Sequence, residues 1–319
     1  MRIHEAGGPE VLRWEPVEVG EPGPGQARLR QHAAALNFID VYHRTGLYPQ
    51  PLPFTPGVEG AGVVDSVGPG VQHVKPGDRV AYAGPIGGYA EVRLIDADRL
   101  VRLPDDFGFD LAAAMMLQGM TARMLLRSVY PVAAGDMVLV HAAAGGVGLI
   151  LCQWAAALGA IVIGTVSTDD KAELARAHGC RHPIVYTRQD FVAEVESITA
   201  GAGLPVVYDS VGRDTFLKSL DCLRPRGLMV SFGQSSGPIE PFSPGLLQQK
   251  GSLFLTRPTL FHYIASRAEL EASAAELFEA VGSGAVRIEV MQRFPLADAA
   301  EAHRALEARA TTGSTILTV

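Results

Sequence analysis

Cysteine is scarce in this chain: three in 319 residues, at positions 152, 180 and 222, and none in the first 150. So few and so scattered, they exclude a disulfide framework and any cysteine-rich metal site. Lysine is nearly as rare, with four in the whole chain, and 34 acidic against 27 basic residues leave a net charge of −7. That balance argues against a nucleic-acid or acidic-membrane binder, which needs a basic patch. A continuous membrane-length apolar helix is also lacking. Residues 137–168 contain no Asp, Glu, Lys or Arg, but glycines interrupt the run at 145, 146, 148 and 159 and its ends are β-branched. A span needs ~20 apolar residues in one helix, so the segment reads as strand, helix, strand. Arg2, His4 and Glu5, followed by Gly7-Gly8-Pro9, leave no room for the apolar core of a leader. The expectation is a cytoplasmic protein. No internal repeat or low-complexity stretch is present.

What remains is 48% hydrophobic and 19% charged, the composition of a folded protein long enough for about two domains. Up to about residue 110 the chain is dense in Gly and Pro. Short alternating runs at 27–31, 62–67 and 78–82 are separated by the turn pairs Pro22-Gly23, Pro69-Gly70 and Pro76-Gly77, the texture of a β-rich unit. Asp110 is placed to cap a helix over 111–117, and a second helix is expected to start at 121–126.

From residue 137 onward, apolar strands alternate with helices. Strands are expected at 137–141, 161–166, 183–186, 206–209, 228–232 and 252–256, and helices at 148–158, 171–178, 191–199, 215–223 and 244–250. Six such strands spell a doubly wound parallel sheet. The tail predicts a helix over 268–283, a strand, a helix over 296–309 and a last strand at 314–319. Coming after a completed sheet, this last strand is expected to return to the first domain.

The first strand of the α/β half runs into Ala142-Ala143-Ala144-Gly145-Gly146-Val147-Gly148. Against the dinucleotide pattern G-x-G-x-x-G the aligned residues are Ala143, Gly145 and Gly148. Gly145 keeps the backbone bare for a pyrophosphate, and Gly148 lets the helix pack closely on the strand. The helix start at Gly145, Gly146 and Val147 supplies N–H groups and partial positive charge. NAD sites usually carry a carboxylate at the tip of the second strand, and here that tip reads Thr165-Val166-Ser167-Thr168, with Lys171 close behind. Hydroxyls and a cation suit a 2′-phosphate, so NADP(H) is the expected cofactor. Lys171 also fits a solvated helix position, and Asp169 and Asp170 fit first-turn acids facing water.

These residues join a wider set: Asn37-Phe38-Ile39-Asp40-Val41-Tyr42, Gly46-Leu47-Tyr48-Pro49, Gly57-Val58-Glu59-Gly60-Ala61-Gly62, Val74-Lys75-Pro76-Gly77-Asp78-Arg79-Val80, Tyr208-Asp209-Ser210-Val211-Gly212, Val230-Ser231-Phe232-Gly233 and Thr312-Gly313-Ser314. Over essentially its whole length the chain resembles the zinc-independent NADPH:quinone oxidoreductases (zeta-crystallin-like) of the medium-chain dehydrogenase/reductase superfamily. The resemblance implies an α/β protein. A GroES-like β-rich domain is made from both chain ends, 1–117 and 261–319, and a central six-stranded parallel Rossmann domain spans 118–260, with the active site between them. It implies further cofactor contacts at Thr121 on the nicotinamide side and at Tyr186 with Ser167, Thr168 and Lys171 around the 2′-phosphate. Phe232, Gly233 and Ser235 would lie along the nicotinamide ribose, and Arg309 at a phosphate. Tyr186 equally fits a strand end and Arg309 a helix C-terminal cation. A homodimer paired through the Rossmann sheet edge near residues 253–256 also follows from the resemblance, and an apolar edge strand needs covering.

Zinc members of the superfamily use cysteine and histidine ligands in the first domain, including a histidine in Gly-His-Glu. Here that segment reads Gly57-Val58-Glu59. A catalytic zinc needs three protein ligands and a structural zinc four, and His32, His43 and His73 read as scattered surface or satisfied polar residues, so no metal is expected. Alcohol oxidation then loses its Lewis acid, whereas reduction of an electron-poor quinone or enone needs a hydride, a flat site and one proton. Asn37, Tyr42 and Tyr48 are the expected donors to the acceptor carbonyl, with Asp40 orienting its neighbours and Asn37 also beside the cofactor. Tyr48 also fits a turn aromatic, and Tyr42 a core helix residue. The alternative activity is NADPH-dependent reduction of double bonds in enones or enoyl thioesters. A different class, a crystallin-like or RNA-binding role without catalysis, fits the charge and the intact phosphate turn less well.

Overall fold

Strand β1 (Gln26–Leu36) follows directly from alternation in the sequence: Ala27, Leu29 and Gln31 are buried, while Arg30 and His32 point to solvent. In the computed structural model, which describes residues 1–319, this strand organises the first of two units. That unit comprises Met1–Met120, Ile264–Leu277 and Ile288–Val319, and the second comprises Thr121–Tyr263 and Phe278–Arg287. Strand β1 pairs antiparallel with β2 (Glu59–Val67), which pairs with β3 (Arg79–Ala83). The first half of β1 also takes β4 (Val92–Asp96), and the short β5 (Val101–Arg102) closes onto β3. Ala27, Leu29, Val64, Val80, Tyr82, Ile95 and Leu100 form one core under this sheet.

The second unit contains six strands in one parallel sheet. In chain order they are β6 (Met137–Val140), β7 (Ile161–Val166), β8 (Cys180–Val185), β9 (Leu204–Asp209), β10 (Leu223–Ser231) and β11 (Phe254–Thr256), arranged β11-β10-β9-β6-β7-β8. The order reverses between β6 and β9, the switch point where open α/β sheets bind ligands beyond the carboxyl ends of their strands. Leu139, Ile163, Leu204, Val207 and Met229 from the strands pack with Phe191, Val195, Phe216 and Leu220 from two helices. Fully burying each such side chain stabilises by roughly 1.5–3 kcal/mol.

The chain then returns to the first sheet. Strand β13 (Ser314–Thr318) pairs with residues 33–36 of β1, and β12 (Val290–Pro295) runs parallel beside it. Met1, Ile3, Leu36, Leu296 and Leu317 pack together there, so residues from both chain ends share one core.

Several local expectations shift. The helix expected over 111–117 is Phe109–Ala113 with Gly108 at its cap, so Asp110 lies in the first turn rather than capping. No new helix begins at 121–126: helix Met116–Arg123 already runs through this point and widens into a π turn over Met124–Val129. Strand β8 starts at Cys180 rather than 183, because at a sheet edge Pro183 costs no ladder bond on its open side. Strand β10 starts at Leu223 rather than 228, with an irregularity before Leu228 that contains Pro225 and the positive-φ residue Arg226.

Candidate active site

In the second unit, β6 ends in a turn where Ala142 takes a φ of 53° and Gly145 caps the helix Gly146–Ala157. That helix starts two residues earlier than the periodicity predicts, so Gly146 and Val147 form its first turn, where N–H groups have no intrahelical acceptor. The two fingerprint glycines do different work. A Cβ on Gly148 would lie 2.2 Å from the Ala142 carbonyl oxygen and 2.9 Å from Ala143 backbone, so this position exists for close packing. A Cβ on Gly145 would meet only the Ala142 oxygen, at 3.3 Å. Gly145 has that one near neighbour only, and with the bare helix N-terminus the turn fits a pyrophosphate.

Beside it, the tip of β7 gathers four of the expected residues. Thr168 caps the helix Asp169–Ala177 by accepting the Lys171 N–H at 3.3 Å, leaving the Thr168 hydroxyl hydrogen available to donate. The Tyr186 N–H donates to Val166 O at 3.0 Å, and the Thr187 hydroxyl to Ser167 O at 3.0 Å, which fastens the end of β8 to this tip. Asp169 is exposed and gripped by both terminal nitrogens of Arg188, at 2.7 and 2.5 Å, which holds its carboxyl below the usual range. Arg188 belongs to no motif, and the sequence reading missed it.

At the ends of β9 and β10, Phe232 N–H donates to Asp209 O at 2.8 Å and Ser235 N–H to Ser210 O at 3.1 Å. Gly233 sits against Ser210, whose carbonyl oxygen would be 2.6 Å from a Cβ there. The buried Asp209 carboxylate collects Val211 N–H, Gly212 N–H, the Thr215 hydroxyl and the Ser219 hydroxyl. His141, just past β6, bonds Thr165 Oγ1 through Nδ1 at 2.8 Å and Ser219 Oγ through Nε2 at 2.9 Å. Burial lowers its pKa, so it is a neutral tie beneath the phosphate turn. Its place beside the Ala-Gly turn is the signal that could have marked it.

In the first unit, Asn37 ends β1 and opens the helix Phe38–Arg44. Asp40, three residues in, reaches back with Oδ2 to accept the Asn37 N–H at 2.9 Å, one arm of a capping box. The Asn37 side chain is held on both sides. Its Nδ2 donates to Glu59 Oε2 at 2.8 Å, and its Oδ1 accepts from Gln118 Nε2 at 3.0 Å. Glu59 Oε1 in turn accepts the Leu117 N–H at 2.7 Å, and the Ser314 hydroxyl donates to Gln118 Oε1 at 2.7 Å. Both acids are fully buried, and that burial pushes Asp40 up to about 7 and Glu59 up to about 8. Tyr42 is buried and Tyr48 half-buried, their rings edge to face at 5.1 Å, with Tyr48 N–H donating to Tyr42 O. Asn37, Asp40, Tyr42 and Tyr48 thus share one helix and the turn after it. Glu59 was legible only as a neighbour of the missing histidine ligand.

Thr121 is half-buried in the helix Met116–Arg123, and Arg309 is exposed just beyond the helix Ala299–Glu307 with a φ of 58°. His32 stacks on Phe109 at 4.2 Å and His73 Nε2 meets Ala97 O at 2.7 Å. His43 departs from expectation, being neither at the surface nor satisfied: it is buried with Nδ1 unpartnered, and desolvation takes its pKa down to about 4. No three His, Cys, Asp or Glu side chains lie close enough to share a metal ion, and no helix is long and apolar enough to cross a membrane.

Comparison with known proteins agrees with both units. Residues 23–105 match the alcohol dehydrogenase GroES-like domain and residues 146–280 the zinc-binding dehydrogenase family. The quinone oxidoreductase of Pseudomonas aeruginosa is 53% identical over 313 residues, covering 98% of this chain and 96% of that protein. A 2-haloacrylate reductase of a Burkholderia species is 49% identical, covering 99% of this chain and 97% of its own length. The crystal structure of Escherichia coli quinone oxidoreductase complexed with NADPH superimposes with a TM-score of 0.98 at 48% identity, over 100% of this chain and 99% of that one. With its GroES-like unit and its six-stranded parallel Rossmann sheet, the chain belongs to the quinone oxidoreductase family of the medium-chain dehydrogenases/reductases.

Proposed function

We propose that this protein is an NADPH:quinone oxidoreductase that works without zinc. The observation that carries the reading is Gly145, with one near neighbour, at a helix N-terminus beside a β7 tip where Arg188 pairs with Asp169, one of its two adjacent acids. NADPH, when bound, supplies the hydride. Gly145, Gly146 and Val147 hold its pyrophosphate through backbone N–H groups, and Ser167, Thr168, Lys171 and Tyr186 hold the 2′-phosphate. Phe232, Gly233 and Ser235 line the nicotinamide ribose, Thr121 the nicotinamide side, and Arg309 supplies a cation to a phosphate. The cofactor domain, expected at 118–260, corresponds to the unit of Thr121–Tyr263 with Phe278–Arg287, and the substrate domain, expected at 1–117 and 261–319, to the other unit.

On the substrate side, Asn37, Tyr42 and Tyr48 donate hydrogen bonds to the acceptor oxygen as negative charge develops there. Asn37, with one Nδ2–H committed to Glu59, has one N–H left to give, and it also flanks the cofactor. Asp40 acts by fixing Asn37 through its backbone N–H. The protein works in the cytoplasm as a homodimer. Phe254 and Leu255 lie exposed on the edge strand β11, which supports pairing there.

The 49% identity to a 2-haloacrylate reductase favours a second reading, reduction of an activated carbon–carbon double bond with the same hydride donor. One screen separates the two: NADPH oxidation with quinones, enones and enoyl thioesters, with NADH as control and metal analysis alongside. Turnover with quinones and not with enoyl substrates carries the main reading. The reverse pattern replaces it, and no turnover with any acceptor ends both.

A further inference from the structure

A chain of buried side chains outside every motif leads to Asp40. It begins at Arg44, which is 1% exposed and forks onto the Glu307 carboxylate at 2.8 and 2.9 Å, with its Nε donating to Gly7 O at 3.1 Å. Arg44 Nη1 also lies 3.1 Å from His303 Nδ1. A guanidinium only donates, so Nδ1 must be the bare nitrogen and the proton sits on Nε2. That nitrogen is 3.3 Å from Tyr89 Oη, which is 3.2 Å from Asp40 Oδ2. Burial and the Asp40 charge raise the Tyr89 pKa well above normal, so its hydroxyl keeps its proton and donates. Every bond in the series therefore points one way, from Arg44 to His303 to Tyr89 to Asp40. His303, Tyr89 and Asp40 are fully buried.

We propose that Arg44, His303 and Tyr89 form a one-way hydrogen-bond relay that holds the Asp40 carboxylate, and through it Asn37, in place, so that His303 on the last helix is a positioning residue of the site. The series ends on one oxygen, Asp40 Oδ2, which accepts from Tyr89 and also from the Asn37 N–H. Hydrogen bonds from such donors favour the ionised carboxylate. Around Asp40, the Gly57 and Val58 amides pull in the same direction. Glu59 is the buried acid coupled to Asp40, and Arg44 acts through His303 and Tyr89 rather than by contact. The relay explains a neutral histidine in a dry core: burial and Arg44 take its pKa down to about 3.

The inference rests on Asn37 and Asp40 belonging to the reaction site, and its test has an arm that needs no cofactor. Nitrogen-15 resonances of His303 in the cofactor-free protein are expected to report a neutral ring protonated at Nε2 from pH 5 to 9. A ring protonated at Nδ1, or one titrating near 6.5, overturns the relay. The second arm is the pH profile of kcat/KM with NADPH and a quinone. Tyr89→Phe removes the donor to Asp40, and the acid limb is expected to move up by about one pH unit. His303→Leu moves it the same way. His303→Gln, whose amide can accept from Arg44 and donate to Tyr89, restores the wild-type position. A limb that stays put in folded Tyr89→Phe and His303→Leu proteins shows a purely structural role and sinks the proposal. If the wild type oxidises no NADPH with any acceptor, the functional reading fails, while the nitrogen resonances still decide the relay.

Discussion

Asn37 and Glu59 fix each other: Glu59 Oε2 accepts the Asn37 amide N–H at 2.8 Å while Gln118 Nε2 donates to Asn37 Oδ1 at 3.0 Å, so the Asn37 amide has one orientation. Glu59 needs both of its oxygens as acceptors, the second for the Leu117 N–H. Glu59→Gln can satisfy only one of these donors and turns an N–H against the other. The expected result is a fall in kcat/KM of about tenfold or more, equivalent to one buried donor left without its acceptor. Steady-state kinetics at a temperature where the variant is fully folded checks it. Unchanged kinetics would mean that the Asn37 orientation does not matter to turnover.

The two glycines of the phosphate turn are expected to separate folding from binding. Alanine in a helix is normally favoured over glycine by about 1 kcal/mol. At Gly148 that gain is outweighed, because the new Cβ would sit 2.2 Å from a backbone carbonyl oxygen. Gly148→Ala is expected to lose about 1–3 kcal/mol of stability in urea unfolding. Gly145→Ala, whose one near neighbour is backbone oxygen at 3.3 Å, is expected to lose less stability than Gly148→Ala and to bind NADPH about tenfold more weakly or worse. A fluorescence titration beside the unfolding curves reads both. Equal behaviour of the two variants would contradict the division of labour.

The same two positions show why part of this protein is legible in its sequence. A strand, a glycine-rich turn and a helix are local, so β6, the turn and the cofactor side follow from the order of residues alone. The six parallel strands follow because each is an apolar run with a helix after it. The polar network around Asp40 does not follow in that way. Its members, at 37, 40, 44, 59, 89, 118, 303 and 314, meet only when β13 pairs with β1 and the last helix packs beneath. No spacing rule links residues so far apart. His43 failed for the same reason: a lone histidine carries no sign of whether tertiary packing will bury it. Strands β8 and β10 start earlier than expected, with Pro183 accommodated at a sheet edge and Pro225 in a local irregularity.

Discrimination between the two nicotinamide dinucleotides is expected to reside at the β7 tip. On the proposed reading Lys171→Ala would remove a charge-assisted contact to the 2′-phosphate, and such contacts contribute about 1.5–3 kcal/mol, roughly 10- to 150-fold in affinity. NADH, which lacks that phosphate, should bind with less than about twofold change. Arg188→Ala is expected to weaken NADPH in the same direction by releasing the Asp169 carboxylate it now grips, and to lose less, because both groups are exposed and screened. Calorimetric titrations with both dinucleotides test the pair. Equal losses for NADPH and NADH in Lys171→Ala would remove the lysine from phosphate recognition.

The buried acids and histidines also set an unusual dependence of stability on pH. His43 and His303 are held down to about 4 and about 3. The unfolded chain therefore binds protons that the native state refuses, and their penalty is complete at low pH and gone above about 6.5. Asp40 and Glu59 are shifted the other way, from 3.8 to about 7 and from 4.5 to about 8. The native state keeps protons that the unfolded chain has released, so their contribution is full below the unfolded values and lost as pH rises through the native ones. From about pH 4.5 to 6.5 the two trends oppose, and above 6.5 the two acids act against the N-terminal amine of Met1 alone, which burial lowers from 8.0. Stability is thus expected to fall between pH 6.5 and 8, with a slope of at most about 1.4 kcal/mol per pH unit for each acid. Urea midpoints at pH 6, 7, 8 and 9 measure it, and Asp40→Asn should make the fall shallower by removing one of the two protons involved. A midpoint that is flat or rises over this interval would show that both carboxyls ionise near their ordinary values despite their burial.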